Sequence, residues 1–311
     1  MSSTTFHRRS SRLSQGIKQF CLIRTRIRGR TLTTAIGTPS QLEILGETYR
    51  TDSFTNLSSA IVSKIPQRLH DRLGHPIHTV RNIIEKHFPS CSHLKSPSPL
   101  ISPSKNFDEL DFPLDHPSRS VTDSYYINEN TMLRTHTSAH ELDCFIAGHT
   151  HWSLAADVYR RDEIDASHYP VFHQMECARL FAADETGASE LLEDNHQMSQ
   201  ALALQNIIME DLTNINKDNA YQLEHDPRLA ELVTANLKHS LNSLLLKIFS
   251  DVAGVTKENP LRVRWIPAYF PWTSPSYEVE VFFRGKWLEI LGCGVVRDSM
   301  LNRASEHGIF Q

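Results

Sequence analysis

Ala156-Asp-Val-Tyr-Arg160, then Arg161-Asp-Glu-Ile-Asp-Ala-Ser-His168, then Val171-Phe-His-Gln-Met-Glu176 is the stretch on which the fold turns. The first and last parts alternate in the manner of strands, and a polar crossing joins them. This reads as an antiparallel hairpin with a long loop. A strand period of two sets Phe172, Gln174 and Glu176 on one face and Val171, His173 and Met175 on the other. An amide beside a carboxylate is a receptor for an ammonium group. Arg160, across the hairpin, offers a bidentate fork for a carboxylate or a phosphate. One sheet face is thus able to hold both ends of an amino acid.

The chain on either side supplies more elements. Residues 43–60 are mixed and read as a short strand or an extended lead-in. A helical period runs from Ile61 to Phe88, with Pro76 at a first helical position and Pro89 as the stop. Residues 89–106 hold six Ser and four Pro and read as a mobile loop or linker. Order restarts over Phe107–Leu114. Asp226-Pro227 reads as an N-cap and N1 pair, and the leucines behind it carry a helix to about Phe249. Arg262–Tyr269 is a strand. Tyr277–Phe283 and Trp287–Leu291 are two more, turned at Arg284-Gly285-Lys286. Helices beside clustered hairpins predict an α+β fold with an antiparallel sheet rather than alternating βαβ units. Neither a Rossmann glycine fingerprint nor a P-loop is present, and no internal repeat is found.

Composition narrows the class. The 311 residues are 40% hydrophobic and 22% charged, ordinary for a globular chain of about two domains. No apolar run reaches the length of a membrane span, so no membrane insertion is expected. Five scattered cysteines without a Cys-x-x-Cys pair argue against a disulfide framework and a zinc ribbon. The net charge of −4 hides an asymmetry: residues 1–42 carry seven Arg and one Lys and no acid, and setting these eight charges aside leaves −12 for residues 43–311. An Arg-rich, Ser-rich, acid-free leader has the composition of a mitochondrial targeting segment, although Leu22, Ile23 and Ile27 alternate with arginines too evenly for one clean helical face. The other reading of this leader is a disordered basic arm that touches RNA. The acidic body is no nucleic-acid binder by net charge.

Four segments concentrate polar groups: Arg134-Thr-His-Thr-Ser-Ala-His140, the hairpin, Tyr269-Phe-Pro-Trp-Thr-Ser-Pro275, and Trp287-Leu-Glu-Ile-Leu-Gly-Cys-Gly294. Phe270 and Trp272 are suited to wall an apolar pocket. Together, in this order, the four segments resemble the phenylalanyl-tRNA synthetases, and within them the single-chain mitochondrial form, from about Thr51 to Val295. The resemblance implies a class II synthetase core over residues 43–295, an antiparallel sheet flanked by helices. It implies ATP-dependent activation of phenylalanine to an adenylate and transfer to mitochondrial tRNA(Phe), in the mitochondrial matrix, by a chain expected to be a monomer. It also implies roles. Arg160 matches the arginine that holds the α-phosphate and the substrate carboxylate, and His168 a loop histidine near that phosphate. Gln174 and Glu176 match the pair that receives the ammonium. His136 and Ser138 match residues lining the adenylate and amino-acid site. Phe270 and Trp272 match aromatics around the substrate ring. Glu289 falls where a carboxylate near ATP-bound Mg²⁺ is expected.

The resemblance has departures. Trp272 stands where Phe is frequent, Glu141 where Gln is common, and Cys177 where a small residue follows the glutamate. Residues 296–311 are expected as a tail. The arginine-bearing motif 3 of class II enzymes and an anticodon-binding domain are expected to be missing, leaving the fold incomplete at the C-terminus. Two readings of the function follow: a phenylalanine–tRNA ligase, or a non-catalytic remnant that binds phenylalanine weakly or not at all. His136, His140, His149 and His151 also raise a zinc reading, which no acid or Cys at a known spacing completes. Cys144, Cys177 and Cys293 are expected as buried hydrophobes rather than nucleophiles.

Overall fold

In the computed structural model residues 40–165 and 168–306 are described. The leader over residues 1–39 lies outside the described residues. The first strand, β1 (Gln41–Ile44), starts inside the stretch assigned to that leader and pairs antiparallel with β2 (Glu47–Arg50). The expected long helix over 61–88 is broken. A four-residue α1 (Ser59–Val62) is followed by a tight 3₁₀ turn at Ile65–Gln67, and α2 (Pro76–His87) begins only at Pro76. Pro66 has no N–H to donate, Arg68 takes φ 40° and Gly74 φ 77°, so the helical path is interrupted between the two helices. At α2 the His75 ring accepts from the Ile77 N–H at 3.2 Å, and Pro76 sits at N1 as predicted.

The Ser/Pro-rich stretch is not a linker. It contributes β3 (Ser92–Leu94), β4 (Leu100–Ile101) and α3 (Pro103–Phe107). Ser102 Oγ caps α3 by accepting from Lys105 N at 3.1 Å, with Pro103 at N1. Ser-Pro is a turn signal, and it is equally a helix start. There follow β5 (Tyr126–Asn128), β6 (Thr131–Leu133), α4 (Glu141–Ile146), β7 (His151–Tyr159) and β8 (Val171–Arg179). The predicted hairpin is β7–β8, antiparallel over nine residue pairs.

Beyond it run α5 (Glu185–Ala203), β9 (Ile207–Asp211), α6 (Pro227–Phe249), β10 (Leu261–Ala268), β11 (Thr273–Phe283), β12 (Lys286–Val296) and α7 (Asp298–Ser305). At α6 the predicted cap is in place: Asp226 Oδ1 accepts from Arg228 N at 2.7 Å and Leu229 N at 3.3 Å. The fold is α+β, with sheets that are mixed rather than wholly antiparallel. β9 joins β10 in parallel and β3 joins β7 in parallel; β10, β11 and β12 form an antiparallel meander. Both parallel strands are short and lie in stretches of weak strand pattern, which is why periodicity missed them.

Two of the core clusters hold the larger sheets against the helices. Val263, Trp265, Val279 and Val281 pack with Leu245 and Phe249 of α6. Trp152 and Leu154 of β7 pack with Phe145 of α4 and with Met300 and Ala304 of α7. Burying each of the Val, Leu, Phe and Met side chains among these contributes about 1.5–3 kcal/mol. The stretch 298–305, expected to belong to a tail, therefore forms a helix that buries Met300 and Ala304 in the core. α7 is also tied down by Arg303, whose Nη1 donates to Asp111 Oδ1 at 2.9 Å and Nη2 to the Glu109 carbonyl at 2.8 Å.

Candidate active site

The site begins with strand register. Ala156 pairs with Gln174 and Leu154 with Glu176, so the period-two alternation holds along β8 and places Gln174 and Glu176 on one face. Their outer acceptors, Gln174 Oε1 and Glu176 Oε2, are buried with no hydrogen-bond partner. Buried polar atoms are paired in the great majority of cases, so two orphaned acceptors side by side mark a place for a donor. The Thr137 and Ser138 hydroxyls act on Glu176 as donors that lower its pKa, against a burial that raises it more. Close by, Glu141 at the start of α4 is 3% exposed. Burial and the Glu176 charge raise its pKa well above the usual carboxylate range.

The segment 134–140 is anchored from below. Arg134, fully buried, donates through Nε to the Asp157 carbonyl (2.7 Å), through Nη2 to Asp157 Oδ1 (2.8 Å) and through Nη1 to the Pro97 carbonyl (3.1 Å) and His140 Nε2 (3.1 Å). Asn106 and Thr135 bond reciprocally: Asn106 Nδ2 donates to Thr135 Oγ1 (2.9 Å) and Thr135 N to Asn106 Oδ1 (3.0 Å). These bonds fix where His136, Thr137 and Ser138 stand.

Arg160 follows β7 directly. Its Nε donates to the Thr135 carbonyl at 2.9 Å and its guanidinium lies 5.1 Å from the Phe172 ring centroid. Burial lowers its pKa while Asp162 and Glu289 oppose that; guanidinium stays charged throughout.

The aromatic wall is a stack. Phe270 lies 5.7 Å from Trp272, Trp272 5.5 Å from His136 at 22°, and His136 5.6 Å from Phe112 at 10°. Burial and the Arg160 charge push the His136 imidazole down to about 3, so it is neutral near pH 7. Gly292 on β12 makes room for this wall: a Cβ there would lie 2.4 Å from Phe270 Cζ. The wall is tied to the strand end by the Arg297 N–H, which donates to the Trp272 carbonyl at 2.9 Å.

Two unpartnered acceptors on β8, an arginine at the end of β7 and an aromatic stack from the turn between β10 and β11 bear on the family. A sequence profile described as tRNA synthetases class II core domain (F) matches residues 60–202 and 229–309. The mitochondrial phenylalanine–tRNA ligase of Saccharomyces cerevisiae is 39% identical over 293 residues, 85% of this chain and 62% of that protein. The rat mitochondrial enzyme is 38% identical over 279 residues, 86% of this chain and 55% of its own. A Prochlorococcus marinus phenylalanine–tRNA ligase alpha subunit is 30% identical over 230 residues, covering 73% of this chain and 52% of that subunit. The chain belongs to the class II tRNA synthetase family. It spans 62% and 55% of the length of the yeast and rat relatives.

Within this synthetase core the sequence-derived residues divide. His136, Phe270 and Trp272 stack together, Ser138 meets Glu176, Gln174 shares the strand face of Glu176, and Arg160 is held at the Thr135 carbonyl beside His136. Glu289 pairs with Glu280 across β11–β12 and acts on Arg160 electrostatically. His168 stands apart on the exposed crossing, where its ring lies 2.9 Å from Asp165 Oδ2, which raises its pKa. Of the three cysteines expected as buried, Cys144 is buried, Cys293 half-buried and Cys177 exposed. His136 lies in the aromatic stack while His140 Nε2 faces Arg134. Among the described residues no three His, Cys, Asp or Glu side chains converge on a metal position. Sequence reading missed Phe112, Asn106 and Thr137; each lies in a stretch with no periodic signal of its own.

Proposed function

We propose that this chain carries the phenylalanine-activating core of a mitochondrial phenylalanine–tRNA ligase. The observation that carries the reading is the pair of buried, unpartnered acceptors at Gln174 and Glu176, with the Phe270–Trp272 wall stacked on His136 of the segment whose Ser138 meets Glu176. An ammonium group satisfies both acceptors and balances the Glu176 charge, and a phenyl ring lies on the wall. The substrate carboxylate is then directed toward Arg160. In the reaction a carboxylate oxygen of phenylalanine attacks the α-phosphorus of ATP, the bond to pyrophosphate breaks, and phenylalanyl-adenylate forms. A ribose hydroxyl at the tRNA(Phe) 3′ end then attacks the acyl carbon and AMP leaves. Arg160 lowers the repulsion between the two anions, and His168 is assigned to the same phosphate by its position in the motif. No side-chain nucleophile takes part; the work is positioning and charge.

Class II synthetases use ATP, usually with Mg²⁺. Glu289 and Glu278 fit such an ion. Burial and the charges of Glu289 and Glu280 raise the pKa of Glu278, a crowding of carboxylates that a divalent cation relieves. Mg²⁺ is ordinarily held by one or two carboxylates plus substrate phosphates, so a fuller protein cage is not needed. When bound, the ion offsets triphosphate charge.

Localisation in the mitochondrial matrix and a monomeric state are part of the proposal. Several relatives are named mitochondrial, and the acid-free leader has the matching composition; the relatives named alpha subunits make the oligomeric state a separate measurement. The test of the function is phenylalanine-dependent ATP–pyrophosphate exchange by the purified chain. Exchange that requires phenylalanine and is abolished by Arg160→Ala supports the ligase reading. A folded chain that shows no exchange and binds phenylalanine weakly or not at all would favour a non-catalytic remnant.

A further inference from the structure

The stretch 203–228 lies between the two parts of the chain that the synthetase profile matches. Its first half contains β9, and Lys238 of α6 anchors the end of that strand by donating to Asp211 Oδ2 at 2.7 Å and to Thr213 Oγ1 at 2.6 Å. Its second half runs on to the N-cap of α6. Leu212, Ile215 and Leu223 are all exposed there, so little apolar burial holds it. Two side-chain amides hold it instead. Asn219, 6% exposed, donates through Nδ2 to the Ser276 carbonyl at 2.9 Å and accepts from the Ser276 N–H at 2.7 Å, pairing with β11 as a strand backbone would. Gln222 donates through Nε2 to the Ser274 carbonyl at 2.9 Å and to the Val296 carbonyl at 3.0 Å, and its Oε1 accepts from the Asp298 N–H at 2.8 Å. Ser274 Oγ returns a bond to the Ala220 carbonyl at 2.7 Å.

These bonds bracket the base of the aromatic wall. Thr273, which follows Trp272, pairs with Val296 at the end of β12. Gln222 binds the next residue on one strand, Ser274, and Val296 itself on the other. Arg297, one step further, donates its N–H to the Trp272 carbonyl at 2.9 Å. Arg297 is also the N-cap of α7 and supplies no side-chain cap, so the Gln222 amide takes the first N–H of that helix. One half-buried amide thus satisfies three backbone groups from three elements, and its loss leaves two carbonyls and an N–H to find other partners. We propose that Asn219 and Gln222 are positioning residues of the amino-acid site: through Ser274, Ser276 and Val296 they fix where Trp272, and Phe270 stacked on it, stand. The role rests on the reading of the Phe270–Trp272 wall as the seat of the substrate ring.

The test uses the full chain labelled with 5-fluorotryptophan, with fluorine NMR and the phenylalanine dissociation constant as readouts. Trp272→Phe assigns the Trp272 line among the four tryptophans. Gln222→Met keeps the length of the side chain and removes all three bonds. Asn219→Asp keeps an acceptor for the Ser276 N–H and removes the donor to its carbonyl. Each variant is expected to move the Trp272 line, to leave in place the line of Trp287 at the far end of the β11–β12 hairpin, and to weaken phenylalanine by roughly 10-fold to 100-fold, the cost of a displaced contact. Asp226→Ala, in the same stretch, removes the α6 cap and lowers stability, yet leaves the Trp272 line and the phenylalanine constant unchanged. A folded Gln222→Met or Asn219→Asp with the parent's Trp272 line, or with the parent's phenylalanine affinity, overturns the proposal, as does an equal loss of affinity in Asp226→Ala. Either amide variant alone decides, should the other not fold. An unaltered chain that binds no phenylalanine, or a Phe270→Ala chain that binds it as tightly as the parent, contradicts the reading of the wall itself, and the assigned role falls with it.

Discussion

Arg134 Nη2 donates to Asp157 Oδ1 at 2.8 Å, with the two side chains 0% and 4% exposed. The pair joins β7 to the segment bearing His136 and Ser138, and the same guanidinium reaches the loop at Pro97. A buried pair of this kind is dangerous to break, because the surviving charge is left in a dry interior. Arg134→Ala is expected to cost about 3–5 kcal/mol in urea unfolding. Adding Asp157→Ala removes the stranded carboxylate, so the double variant is less unstable than the sum of the singles. Strict additivity would show that the two residues do not act as a pair.

Glu141 and Glu176 share one buried region, and each has its pKa raised by burial, Glu141 also by the Glu176 charge. Below about pH 4.3 both the folded and the unfolded chain hold these protons. Above it the unfolded chain releases protons that the folded chain keeps. This contribution to stability is thus complete at low pH and is lost as pH rises through the folded pKa. Glu141→Gln removes part of it. As pH rises above about 4.3, the urea midpoint of the variant is expected to fall less steeply than that of the parent. Parallel profiles would count against the coupling.

Gly292 leaves the space that Phe270 fills. Gly292→Ala sets a methyl 2.4 Å from Phe270 Cζ in the existing geometry, so the ring must move. Overpacking of this sort costs about 1–3 kcal/mol. The expected outcome is a folded variant with weakened phenylalanine binding and an altered aromatic near-ultraviolet circular dichroism spectrum. Unchanged affinity would place the substrate ring elsewhere.

The hairpin, the cap at Asp226 and the three-stranded meander were legible because each has a local cause: period two, an Asp-Pro pair, an Arg-Gly-Lys turn. The shared strand face of Gln174 and Glu176 was legible for the same reason, since both lie on the hairpin. What escaped depends on distant partners. Ser-Pro pairs at 102–103 serve as a helix start only because α3 packs beneath Thr135. Met300 and Ala304 look like a sparse tail pattern, yet meet Phe145 and Trp152. Phe112 enters the site by stacking on His136, a contact between residues in different loops. The position of His168 was read from its motif, while in the fold its ring is occupied by Asp165.

The central claim is that Glu176 receives the ammonium of phenylalanine. Its most direct test is the phenylalanine dissociation constant of the unaltered chain against Glu176→Gln, by equilibrium dialysis at neutral pH. Loss of a desolvated, charge-assisted hydrogen bond of about 1.5–3 kcal/mol predicts weakening by roughly 10–150-fold. A folded Glu176→Gln that binds phenylalanine as tightly as the parent would contradict the account.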